Sequence, residues 1–211
     1  ITGEAALFRR LWIGYNTGIC RISCRYSYAG TKVQSRLPET PGRAMSLKQN
    51  MQIVVIGGGP AGLMAAGQAA GAGANVVLLE KMHRPARKLR ITGKGRCNIT
   101  NTAPVEEFTA YFGRKGRFLR SPFSRFFSTE LLAFFRQLGV ETTSERGGRI
   151  FPVSNQAQDV VDALVSWAED QGVQIRTNAD VRRILVENGR CRAVSYSDLS
   201  DSSQEKMIEA E

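Results

Sequence analysis

Gly57, Gly59 and Gly62 are spaced to receive a phosphate-bearing ligand, with Pro60 and Ala61 between them. Gly57 permits a tight turn, and Gly59 has no side chain to keep a pyrophosphate away from the backbone. Gly62 lets a following helix pack closely. Pro60 suits a first helical turn, where its missing N–H costs little. The helix start then offers free N–H groups and a partial positive charge to phosphate oxygens. Glu80 follows about twenty residues later, where a carboxylate can accept hydrogen bonds from ribose hydroxyls. Its charge disfavours a 2′-phosphate at the same point.

The flanking residues fit this chemistry. Residues 53–56 (Ile-Val-Val-Ile) read as a strand buried on both faces, and residues 76–79 (Val-Val-Leu-Leu) as a second one ending at Glu80. Ala66 and Gly73 are small where a helix must face the sheet or leave it. Strand, glycine turn, helix, strand and carboxylate together make a site for the ADP half of a dinucleotide, and a ligand-free glycine turn is the weaker reading.

A second group lies in residues 87–101. Lys88, Thr92, Gly93, Lys94, Gly95, Arg96, Cys97 and Asn98 combine glycines, cations, and amide and hydroxyl groups in a loop able to cradle a phosphate-bearing or ring-bearing ligand. Cys97 reads as a small packed thiol in preference to a nucleophile. His83 is the only histidine and reads as a solvated loop residue, not an acid or base. The four cysteines form no CxxC, which argues against a dithiol redox partner and for a reducing, cytoplasmic compartment. No metal-ligand spacing is present.

Composition narrows the classes further. The chain has 211 residues, a net charge of +10 and a 42% hydrophobic fraction, ordinary for a globular protein. Its apolar runs are too short to span a membrane. Residues 1–45 carry seven Arg or Lys against Glu4 and Glu39, and residues 81–125 carry twelve against Glu106 and Glu107. No RNA-binding signature, zinc spacing or recognition helix accompanies these cations, so a groove for a doubly anionic cofactor explains the second cluster more economically than nucleic acid, and the expected partner is a small-molecule substrate.

These groups need positioning elements. Residues 1–45 read as a basic, disordered or non-native leader, because the chain opens on Ile1 and Met45 and Met51 precede the first strand. Residues 46–211 read as the dinucleotide-binding part of the chain, which the resemblance given below implies to be the N-terminal part of an FAD/NAD(P)-binding domain. Thr102 is expected to cap a helix over residues 104–111, and Ser128 one over residues 129–138 with Leu131, Leu132, Phe135 and Leu138 on its buried face. Residues 118–127 read as a short helix or turn whose phenylalanines build core. Gly147-Gly148 and Asn188-Gly189 mark hairpins. Ser154 or Asn155 is expected to cap a long helix carrying Val160, Val161, Leu164, Val165 and Trp167, ended by Gly172. Residues 173–176 read as a third parallel strand, and residues 197–211 as a polar, acidic tail.

The string Gly57-Gly-Gly-Pro-Ala-Gly62, Glu80-Lys81, Lys88 and Thr92-Gly-Lys-Gly-Arg-Cys-Asn98 resembles the YhiN/BaiN-like flavoproteins, also called aminoacetone-oxidase-family FAD-binding enzymes. Gly148-Arg-Ile-Phe-Pro152-Val-Ser154 extends the resemblance, which runs over residues 52–197. It implies an α/β, Rossmann-like FAD-binding domain of the two-dinucleotide-binding flavoprotein type, here incomplete. It places Gly57, Gly59 and Gly62 at the pyrophosphate, with Pro60 and Ala61 beside them. Glu80 and Lys81 fall at the adenosine ribose, backbone at Val181 at the adenine, and Lys88 with residues 92–98 along the pyrophosphate and flavin. It further implies an oxidoreductase passing hydride from NAD(P)H through FAD to an organic acceptor or oxygen. Such flavoproteins are considerably longer, so the chain reads as an N-terminal piece. A plain NAD-binding dehydrogenase, a basic RNA-interacting flavoprotein and an inactive cofactor scaffold are the rival readings.

Overall fold

The computed structural model describes residues 51–210. The expectation for residues 1–45 lies outside the described residues. Strand β1 (Gln52–Ile56), helix α1 (Pro60–Gly71) and strand β2 (Asn75–Leu79) follow in order, with β1 and β2 parallel and Ile53 beside Val76. The later strand β6 (Gln174–Arg176) joins the other edge of β2, also parallel, so the order is β1-β2-β6. This is the third parallel strand read from residues 173–176.

β2 is the pivot. Its side chains alternate in direction, as strand geometry requires. Val76 and Leu78 enter a core with Leu63 and Ala66 of α1 and with Val160, Val161, Leu164 and Trp167 of helix α6 (Ala157–Asp170). Val77 and Leu79 enter a second core with Ala179, Val194 and Tyr196. Those residues belong to an antiparallel sheet of β7 (Ala179–Glu187), β8 (Arg190–Asp198) and β9 (Asp201–Glu209). Helices, parallel sheet and antiparallel sheet therefore form three layers.

The strand β9 corrects the reading of residues 197–211 as a mere polar tail. It pairs antiparallel with β8, Val194 beside Ile208. Its polar residues hid it, because an outer strand of this kind need bury only one face. Both expected hairpins form. Asn188 and Gly189 take φ of +50° and +74°, the left-handed pair of a two-residue turn.

Between β2 and α6 the chain builds α2 (Arg87–Ile91), a 3₁₀ turn over Thr92–Gly95, β3 (Thr100–Asn101), α3 (Val105–Ala110), a 3₁₀ turn over Gly113–Leu119, α4 (Arg120–Phe123), α5 (Ser128–Gln137) and the hairpin β4 (Thr142–Glu145) with β5 (Arg149–Pro152). Three capping expectations fail. Pro104, not Thr102, stands at the N-cap of α3, with no side-chain bond. Ser128 lies inside α5, its hydroxyl bonded to Thr100 Oγ1 at 2.7 Å and to the Asn101 carbonyl at 2.9 Å, and Glu130 caps by accepting the Phe127 N–H at 3.0 Å. Gln156 occupies the N-cap of α6, and Ser154 Oγ accepts its N–H at 3.3 Å. At Ser128 and Ser154 the hydroxyl found a tertiary or turn partner that competes with capping. On α5, Phe134 takes a core position and meets Trp167 edge-on at 4.9 Å, while Leu132 is half-buried.

Candidate functional site

The glycine turn is built by backbone geometry. Gly57, at φ +100°, leaves β1 in a conformation that penalises any side chain, and its N–H donates to the Leu79 carbonyl at 2.8 Å. α1 starts immediately, with Gly59 at the N-cap, Pro60 at its first position and no side-chain cap. A methyl carbon on Gly62 would collide with the Gly57 carbonyl oxygen, so this position must lack one. A methyl carbon on Gly59 would meet nothing within 4 Å, so this stretch of backbone faces open space. Pro60 and Ala61 are exposed at the helix start. Free N–H groups and the positive helix end therefore face an accessible surface suited to a phosphate.

Glu80 does more than the sequence implied. Its Oε2 accepts the Gly58 N–H at 2.6 Å and its Oε1 accepts the Met82 N–H at 2.8 Å, so the carboxylate clamps the glycine turn from the neighbouring strand end. Spare lone pairs on both oxygens can still accept ribose hydroxyls. The start of β7 is tied to the same place, since the Ala179 N–H donates to the Glu80 carbonyl at 2.9 Å. Lys81 pairs with Asp180 at 3.2 Å, and Asp180 also holds Arg182 at 3.2 Å. Val181 follows at an irregularity in the β7–β8 pairing, where the register shifts before Arg183. The structure thus brings Gly57, Gly59, Pro60, Ala61, Gly62, Glu80, Lys81 and Val181 to one end of the parallel sheet, as the carboxyl-end rule for open α/β sheets requires. His83 is exposed in the loop that follows.

The second loop is linked to the first where the Ala86 N–H donates to the Gly58 carbonyl at 2.7 Å. Gly93, Lys94, Gly95 and Cys97 all have positive φ, between +56° and +86°, so the loop is a run of left-handed residues. Lys88 and Lys94 are exposed, and among the described residues neither has an ion pair. Thr92 Oγ1 donates to the Leu89 carbonyl at 2.9 Å. With its amide assigned to match the surrounding acceptors, Asn98 donates to the carbonyls of Thr100 (3.1 Å) and Ile150 (3.3 Å).

Arg96 points elsewhere. It pairs with Glu145 at 2.6 Å, donates to Asn155 Oδ1 at 3.3 Å and lies 4.1 Å from the centre of the Phe151 ring. The guanidinium holds the Glu145 carboxyl below its usual range. Arg96 therefore braces the loop against the β4–β5 hairpin. Sequence reasoning missed these partners because Glu145 lies 49 residues away, with no local pattern to betray the pairing. Cys97 is 0% exposed, and burial pushes its thiol up, against a smaller downward pull from the Thr92 hydrogen bond. A buried, protonated thiol fits the packed reading.

A cavity of about 660 Å³ lies between α6 and residues 138–141 and 152–154, and none of the candidate cofactor residues lines it. No described helix is long and apolar enough to cross a membrane. Among the described residues no three His, Cys, Asp or Glu side chains gather as a metal site.

The turn, the parallel sheet and the clamped carboxylate define a Rossmann-type dinucleotide-binding domain. Residues 51–210 match the HI0933-like protein Rossmann domain, and the chain belongs to that family. The membership agrees with the resemblance read from the motif strings. A 3-dehydro-bile acid delta(4,6)-reductase of Clostridium scindens is 38% identical over 135 residues, covering 63% of this chain and 32% of that protein. A ribosomal RNA dihydrouridine synthase of Escherichia coli is 30% identical over 133 residues, covering 63% and 32%. The matched region thus spans about a third (32%) of the length of these relatives. Among solved structures, the 3-ketosteroid-delta4-(5alpha)-dehydrogenase of Rhodococcus jostii RHA1 aligns with a TM-score of 0.56 at 16% identity, covering 82% of this chain and 46% of that one. Thermovibrio ammonificans THI4 aligns with a TM-score of 0.52 at 15% identity, covering 77% and 55%. At these identities the likeness is one of fold.

Proposed function

We propose that residues 51–210 form the ADP-gripping part of an FAD-dependent oxidoreductase. The observation that carries this is the glycine turn itself: Gly59 opens onto free space at an uncapped helix start, while Gly62 and Glu80 lock the turn behind it. Those residues fit a diphosphate, and the Glu80 carboxylate fits an unphosphorylated ribose. In this reading Gly57, Gly59, Pro60, Ala61 and Gly62 hold the pyrophosphate, and Glu80, Lys81 and backbone at Val181 hold the adenosine. Lys88, Thr92, Gly93, Gly95 and Asn98 line the flavin side, with Arg96 and Cys97 holding that loop in shape from behind.

FAD, when bound, supplies hydride transfer, and the protein supplies position and electrostatics. Lys88 and Lys94 are the exposed cations of the second loop and favour negative charge developing nearby. One relative is named a delta(4,6)-reductase and another a dihydrouridine synthase, and both names denote saturation of a carbon–carbon double bond. We assign this chain to the same reaction type, with NAD(P)H as donor, an unsaturated organic molecule as acceptor and the cytoplasm as compartment.

The test is titration of FAD into the purified chain, followed by flavin fluorescence, with ADP as competitor. Saturable quenching that ADP reverses supports the reading. A chain that binds NADH and ignores FAD overturns it in favour of a dehydrogenase.

A further inference from the structure

The cavity beside α6 is not used by the cofactor reading. It occupies about 660 Å³ at the C-terminal end of α5. Leu138, Pro152 and Val153 give it an apolar wall, and Val153 is 53% exposed. Glu141, Asp159 and Asp162 also line it, all three exposed, and no Lys, Arg or His does. Among the described residues none of these carboxylates has an ion pair, and Asp162 accepts the neutral amide of Gln158 at 2.6 Å. An acid-lined groove is the exception on a chain of net charge +10.

The opposite charge stands at the other end of α5. Residues 108–128 contain no acidic residue. Arg114, Lys115, Arg117, Arg120 and Arg125 are exposed there, and among the described residues none of these side chains has a hydrogen bond or ion pair. Tyr111 is 83% exposed in the same segment. The segment is firmly built: a methyl carbon on Gly116 would strike the Thr109 carbonyl, so the 3₁₀ turn lies hard against α3. α5 has 10 residues, a length of about 15 Å. The basic segment precedes that helix and the groove follows it, and no ion pair joins them within the described chain.

We propose that the groove docks the basic segment of a second copy of this chain, in a two-fold pair where each groove receives the other copy's segment. Setting α5 antiparallel to the α5 of the other copy brings each acidic end to a basic end. Between those ends α5 exposes Thr129, Ala133 and Gln137 at helical spacing, uncharged residues that let two copies approach. The Tyr111 ring then covers the apolar wall, and the cations around it meet Glu141, Asp159 and Asp162. Copies carrying +10 repel one another in general, so association needs a surface of opposite sign, which the groove supplies. A small organic amine would satisfy the carboxylates but would leave Tyr111 and the five cations without a partner. The pairing goes beyond the cofactor reading and does not depend on it, since it needs no flavin.

The test is sedimentation velocity of the full chain from micromolar to submillimolar concentration, with circular dichroism to check the fold of each variant. The wild type should form a concentration-dependent dimer. Raising salt from about 0.1 M to about 1 M shortens the Debye length from about 10 Å to about 3 Å and should dissociate it. Asp162→Lys and Arg117→Glu should each be monomeric. A two-fold repeats every change, so each variant makes both junctions repulsive, and affinity should fall at least about a hundredfold, about tenfold per junction. An equimolar mixture of the two variants restores opposite charges at both junctions and should dimerise again, as should one chain carrying both changes. Glu141→Lys with Arg114→Glu gives a second pair should either first variant fail to fold. A wild type that stays monomeric, a dimer indifferent to salt or to both reversals, or a mixture that stays monomeric overturns the proposal. So do assemblies that grow beyond the dimer, or binding of spermidine by a chain that remains monomeric. A dimer with this charge dependence in a chain that ignores FAD supports the pairing and counts against the cofactor reading alone.

Discussion

Gly59→Ala and Gly62→Ala are separated by only three positions and should fail in opposite ways. On Gly62 the added methyl meets the Gly57 carbonyl oxygen, with the Gly57 carbonyl carbon at 3.2 Å and Val55 Cγ1 at 3.6 Å. The obstacle is backbone and cannot rotate aside, so either α1 or the turn must move. Overpacking of this kind costs about 1–3 kcal/mol, and an unyielding neighbour puts Gly62→Ala near about 3 kcal/mol. For a domain of this size each kcal/mol lowers Tm by about 2–4 °C, which predicts a fall of about 6–12 °C. On Gly59 the methyl meets nothing within 4 Å, and the residue's φ of −74° suits alanine. Its fold should survive with Tm within about 2 °C, in keeping with a strain-free surface change. The same methyl would stand where the pyrophosphate must approach, and FAD affinity should fall at least about tenfold, a loss of about 1.4 kcal/mol. Calorimetry and FAD fluorescence titration on both variants decide the matter. A stable Gly62→Ala refutes the packing argument, and a Gly59→Ala chain that binds FAD normally refutes the ligand assignment.

Two further outcomes follow from the second loop. Cys97 is buried with its thiol pushed up, whereas Cys191 is exposed, so iodoacetamide at neutral pH should alkylate Cys191 well before Cys97 in peptide mass spectra; equal rates would refute the buried, protonated thiol. The Glu145 carboxyl is held low by Arg96, so its stabilisation is complete above the ordinary carboxylate range and disappears as pH falls through the lowered value. The Tm gap between wild type and Glu145→Gln should therefore be present at about pH 7 and close by about pH 3, and a gap independent of pH would contradict the pairing.

Residue types and short spacings were enough to place much of this molecule. The apolar runs at residues 53–56 and 76–79, the glycines between them and Glu80 specify a strand–turn–helix–strand unit, because strand burial, positive φ and helix approach are local constraints. Asn188-Gly189, Gly147-Gly148 and the apolar face of α6 were legible for the same reason. Hydroxyl caps were misjudged at Ser128 and Ser154, since a hydroxyl bonds whichever neighbour the fold brings near, and at Thr102, where α3 starts two residues later behind Pro104. β9 was missed because solvent on one face leaves its sequence polar.

Only the tertiary structure decided how those pieces share work. Glu80 clamps Gly58 across a strand-to-turn gap of 22 residues, and Arg96 braces Glu145 across 49, so one predicted ribose ligand is also a strut and one predicted flavin contact faces the hairpin. It also left Phe118 and Phe126 exposed, where the phenylalanines of residues 118–127 had read as core. Local chemistry is written in neighbouring residues, while the partner of a charge or a ring depends on chain segments that meet only on folding.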